Sequence, residues 1–133
     1  MAIIFTYFTI AIGVVMFISF ISMIALAYLN NKRFLEVCRL YELEFGSLPL
    51  SATILKNADI IGFSAGYSTK IEFIILPLIF GKKSMHSKNN DVEFMRQLPN
   101  NIKRWFVAEY YCAVLGCATC VIIGICMYLD KNH

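Results

Sequence analysis

Histidine is almost missing from this chain. His86 and His133 are the only two, and neither has a second ligand at metal-binding spacing. The sequence also lacks a glycine-rich phosphate loop, an H-E-x-x-H helix and a Gly-x-Ser-x-Gly elbow. Ser47, Ser51, Ser64 and Ser68 have no base at a recognisable spacing. These absences exclude the familiar hydrolytic, phosphoryl-transfer and metal-dependent signatures, so the expectation is a non-enzyme with no cofactor and no metal. Proline is confined to three positions and charge to 16% of the residues.

What the chain does have is apolar length. Hydrophobic residues make up 59% of it and the mean hydropathy is +0.65, above what a soluble globular domain usually carries. The excess sits at the two ends. Ile3 to Leu29 is a run of 27 residues without a charge, and Phe106 to Leu129 is a run of 24 with only Glu109. Each exceeds the roughly 20 residues that a helix needs to cross a bilayer. The expected class is an all-α membrane protein with two transmembrane helices: residues 1–30, then a cytoplasmic helical region over 31–104, a second span over 105–129 and an outer tail over 130–133. Ala25-Leu26-Ala27 has a small-x-small form, but no basic segment precedes the run and its length is about twice that of a signal peptide. It reads as an uncleaved anchor.

The charges set the expected orientation. Eleven of the 12 Lys and Arg lie between Asn30 and Trp105, with seven of the nine Asp and Glu. Lys32 and Arg33 follow the first span, and Lys103, Arg104 and Trp105 lead into the second as basic and aromatic interface anchors. By the positive-inside rule the centre is cytoplasmic and both termini lie outside. The net charge of +3 is thus local to a membrane-facing region, where it attracts anionic lipid, and nothing about it asks for nucleic acid.

Along the second span Cys112, Gly116, Cys120 and Gly124 recur every four residues, a stripe of small side chains suited to close helix approach. Ala11, Ser19 and Ser22 give the first span a narrow, weakly polar face that would complement it. An antiparallel hairpin follows as an expectation, although the same faces would also serve helices of other chains.

No breaker separates the first span from Lys32 to Phe45, so its helix should run on until Gly46 stops it. A short helix is expected from Ser51 to Gly62, then a loop over Phe63 to Ser68. Ile71 to Phe80 is too short to cross and reads either as the buried centre of the middle region or as a helix on the lipid surface. Lys82 to Asn90 reads as a polar loop. Asn90 with Glu93 forms a capping-box-like start for another helix, which Pro99 ends.

Cys117-Ala118-Thr119-Cys120 has the C-x-x-C form, but an apolar mid-span setting holds thiols protonated and inert, so packing is the expected role of the span cysteines. Glu109 is the one acidic residue inside a span, which makes it a possible intramembrane polar site. The simplest expectation has it reaching back to Lys103 and Arg104 or to water, and the sharper one makes it a partner-binding or proton-accepting group facing another helix. No further ionisable group follows it along either span.

The segments LNNKRFLEVCRLYE and VEFMRQLPNNIKRWFVAEYYCAVLGCATCVIIGICMYL, about half the chain, resemble universal stress protein B, a small two-span protein of the bacterial inner membrane. The resemblance implies a bacterial plasma-membrane location and a link to stress, with no catalytic residues to carry over. The functional expectation is a non-catalytic membrane protein that acts by helix association, as a homo-oligomer or as an accessory subunit. The alternative is an effector that oligomerises to form a pore or depolarise the bilayer.

Overall fold

The computed structural model describes residues 2–82 and 91–131. Among these the chain is almost entirely helical, with short connections between the helices and no strand. Helix α1 (Ala2–Phe45) is unbroken from the first apolar run into the polar sequence. It ends where expected, because Gly46 adopts φ +78°, a left-handed conformation that closes a helix without Cβ strain, and its N–H donates to the Glu42 carbonyl at 2.8 Å.

The segment after Pro49 departs from expectation. In place of one helix and a loop there are three short helices: α2 (Leu50–Lys56), α3 (Ile60–Ala65) and α4 (Tyr67–Lys70). The Asp59 side chain starts α3 by accepting from the Gly62 N–H at 2.7 Å, so Gly62 lies inside a helix instead of ending one.

Ile71–Phe80, here π1, is a wide π-type helix that contains Pro77. Pro77 has no N–H to give to an α-helical ladder, and Gly81, at φ +64°, caps the segment by donating to Leu76. Phe73, Ile74, Ile75 and Pro77 are buried, so π1 forms the centre of the middle region while Phe80 at its end stays exposed. Helix α5 (Asp91–Gln97) and the long α6 (Asn100–Lys131) follow, with Pro99 between them. Asn90 of the capping-box reading, His86 and most of the polar loop lie outside the described residues, as does His133.

The core is made by the lower half of α1, the short helices and the start of α6. Phe34, Val37, Cys38 and Tyr41 of α1 meet Ala52 and Leu55 of α2, Phe73 to Ile75 of π1, Met95 and Leu98, and Ile102 and Phe106 of α6. Tyr41 is its hub. Its ring packs edge-on against Phe73 at 5.4 Å and Phe94 at 5.2 Å, and its hydroxyl donates to Asp91 Oδ1 at 2.7 Å. Lys56 binds Glu42 at 3.0 Å and ties α2 to α1 at the same level.

Beyond this core the apolar runs of α1 and α6 are bare. Both helices are long and apolar enough to cross a membrane, yet only 11% of the most apolar window of the first and 22% of that of the second is buried. Most of the exposed large apolar side chains, among them Ile3, Tyr7, Phe17, Ile24, Val121, Ile125 and Tyr128, stand on these stretches. Each fully buried side chain of this kind gains about 1.5–3 kcal/mol over its exposed state, so water is a poor solvent for so long a bare surface.

Candidate functional site

Where the bare helices emerge from the core, three elements bring polar side chains together. Glu109 stands on α6 one turn beyond Trp105 and is 1% exposed. Its Oε2 accepts from Asn30 Nδ2 of α1 at 2.7 Å, and its Oε1 accepts from Lys70 Nζ at the end of α4. The Asn30 amide also donates to the Trp105 carbonyl at 3.2 Å, while its own oxygen accepts from Arg33 at 3.1 Å. The Arg33 guanidinium lies over the Trp105 ring, 4.8 Å from its centroid.

Asn30, Lys70 and Glu109 are thus all buried and joined, and each carboxylate oxygen has its own donor. The chemistry is that of a clamp. A lone charge in apolar surroundings is costly, but a neutral pair with its hydrogen bonds satisfied is tolerated and fixes the geometry of what it joins. Here it fixes the end of α4 against both long helices.

Tyr67 borders the clamp. The Lys70 ammonium sits over its ring, 5.2 Å from the centroid. Its hydroxyl is buried with no hydrogen-bond partner among the described residues. Burial pushes this phenol well above its ordinary range, and the negative charge of Glu109 pushes the same way. For Lys70, burial drives the ammonium below its usual value, and Glu109 opposes that by favouring the charged form.

The expected link from Glu109 to Lys103 and Arg104 is not made. Lys103 Nζ donates instead to the Arg96 carbonyl at 3.0 Å, and Arg104 and Lys32 are exposed. Helix geometry gives the reason. Lys103 and Arg104 lie six and five residues before Glu109, on other sides of α6, whereas Lys70 arrives from a neighbouring segment directly onto the carboxylate. Sequence reasoning missed Lys70 and Asn30, although Asn30 at the exact end of an uncharged run was a usable signal.

The four-residue stripe is divided in the structure. Gly116 is buried, and a Cβ there would stand 3.3 Å from the ring of Phe20 in α1. Cys112 is half-buried, while Cys120 and Gly124 face away from α1 and are exposed. On α1, Ser19 is buried, Ser22 half-buried and Ala11 exposed. The seam with α1 therefore runs through Phe106, Glu109, Ala113, Gly116, Thr119 and Cys126. Steps of four on an α-helix drift by about 40° each, so a stripe of strict fours winds off the contact, whereas alternating threes and fours hold to it.

All five cysteines are free thiols. Cys38 is buried in the core, and burial pushes its thiol up to about 12. The chain matches no protein-family model, no curated protein and no solved structure.

Proposed function

We propose that the chain is a two-span integral membrane protein whose long helices form an antiparallel hairpin, and that it acts by association. Its helical base would lie in the cytoplasm and both termini outside. It would work as a homo-oligomer or as an accessory subunit of a membrane complex, without catalysis. A bacterial inner membrane and a stress-related setting follow from the resemblance to universal stress protein B.

The observation that carries this reading is the bare apolar surface of both long helices above a well-packed base. The pairing of Asn30 with Glu109 and of Phe20 with Gly116 supports the hairpin, since positions descend along α1 as they ascend along α6. Cys120 and Gly124 support association, because they leave a small-residue face open on the outside of the pair.

A pore is supported less well. The hydroxyls of Thr9, Ser19 and Thr119 each donate to a carbonyl of their own helix, so they supply no free polar lining. Expression should accordingly leave the membrane potential intact, and depolarisation would favour the pore.

Gly124→Leu tests the association directly. There is open space at Gly124, so the substitution leaves the chain's own packing untouched. Cross-linking in membranes should show assembly lost while insertion persists. Unchanged assembly would refute the role of this face.

A further inference from the structure

Between the last turn of π1 and the first two turns of α6 lies an open cleft of about 520 Å³, lined by Leu78, Ile79, Asn100, Lys103, Arg104 and Val107. Its wall is apolar, its polar groups are two cations and one neutral amide, and no carboxylate lines it. Lys103 gives one of its three ammonium protons to the Arg96 carbonyl and keeps the others available. Neither Lys103 nor Arg104 enters an ion pair among the described residues. Arg96 adds a third positive charge on this side, with its guanidinium against Gly81 at the end of π1.

The position of the cleft matters as much as its charge. It lies on α6 immediately before the apolar run that begins at Phe106. Next to Ile79 of its wall stands the exposed Phe80, whose ring packs edge-on to Tyr110 at 6.3 Å, one turn along α6 from Val107. A ligand that fits needs a negative group for the cations and hydrocarbon for the wall. The neighbouring hollow on the α1 side suits an anion less well. It contains Glu36, and its Arg33 is already engaged by Asn30 and Trp105.

We infer that the cleft of Lys103 and Arg104 is a binding site for one anionic phospholipid, with the headgroup phosphodiester on the two cations and the acyl chains against Leu78, Ile79, Val107 and Phe80. This rests on the membrane reading above. A soluble phosphate would use the same cations but not the wall, so the apolar lining selects the lipid as the source of the phosphate.

The test uses the full chain, purified in mild detergent and exchanged into mixed micelles of phosphatidylglycerol and phosphatidylcholine, with retained lipid read by native mass spectrometry. The natural chain should keep one phosphatidylglycerol in preference to phosphatidylcholine. Arg104→Gln, which breaks no hydrogen bond or ion pair among the described residues, should lower the preference about fivefold, and Lys103→Gln with Arg104→Gln about thirtyfold. Arg39→Gln, an equal loss of charge on α1 away from the cleft, should leave it unchanged.

No preference in the natural chain, or equal losses from Arg39→Gln and Arg104→Gln, would overturn the site in favour of diffuse attraction. Displacement of the lipid by an equal concentration of glycerol phosphate would overturn the choice of lipid over soluble phosphate. Alkaline carbonate extraction of the membranes from which the chain is purified, before any detergent is added, separates the two readings. Release into the soluble fraction would defeat the membrane reading, whereas retention without lipid preference would defeat only the site.

Discussion

Lys70 and Glu109, 39 residues apart in sequence, form an ion pair in which the two side chains are 1% and 2% exposed, the only buried ion pair among the described residues. Removing one partner strands a charge in apolar surroundings, a loss of about 3–5 kcal/mol. Lys70→Leu and Glu109→Leu should each destabilise the fold by that order in detergent unfolding followed by circular dichroism. The double variant should recover most of the loss, because two well-packed apolar groups replace a neutral pair at little cost. Additive losses would show that the two side chains act separately.

The two glycines of the stripe should behave differently. Gly116→Leu drives a side chain into Phe20 and should cost about 1–3 kcal/mol through overpacking. Gly124→Leu meets nothing and should leave the unfolding curve of the single chain unchanged. Equal effects would mean that the seam between α1 and α6 does not run through Gly116.

The hydroxyl of Tyr41 joins α1 to the start of α5 through Asp91. Tyr41→Phe keeps the ring contacts and removes only the donor, so the loss should be about 1–3 kcal/mol, the range for a buried hydrogen bond broken on one side. Limited proteolysis should then cut faster around α5 than elsewhere. An unchanged digestion pattern would count against this tie.

Cys38 makes a pH-dependent prediction. Burial raises its thiol from the ordinary value of 9.0 to about 12, with Glu42 adding to the shift and Lys56 opposing it. Between those limits the folded chain holds a proton that the unfolded chain has lost. Stability contributed by the neutral thiol is therefore complete below about pH 9 and falls as pH rises, by at most about 1.4 kcal/mol per pH unit. Cys38→Ala should flatten that part of the stability profile. A water-soluble maleimide at pH 8 should miss Cys38 until the chain is unfolded.

The two apolar runs and the glycine stop at Gly46 were legible in the sequence, because hydropathy and capping are local properties. The clamp was not. Lys70 falls between the expected loop and the apolar run with no local signal of its own, and only tertiary packing carries it to Glu109. The break of α2 and the presence of α3 and α4 were hidden for a related reason. The glycines and serines there suggest a loop, but Gly66 lets α3 and α4 close onto Leu55, whose terminal methyl a Cβ would have to push aside. The stripe was legible as composition but not as a contact, since a four-residue repeat turns away from the partner helix within a few steps. Gly116 remains in the seam, and Gly124 has left it.

The most direct test of association is the mass of the gently purified protein in native nanodiscs, with identification of whatever accompanies it. A discrete multiple of the 15.2 kDa chain, or a stoichiometric foreign membrane protein, is the predicted result. A lone 15.2 kDa chain, unchanged across concentration and lipid composition, would contradict the account.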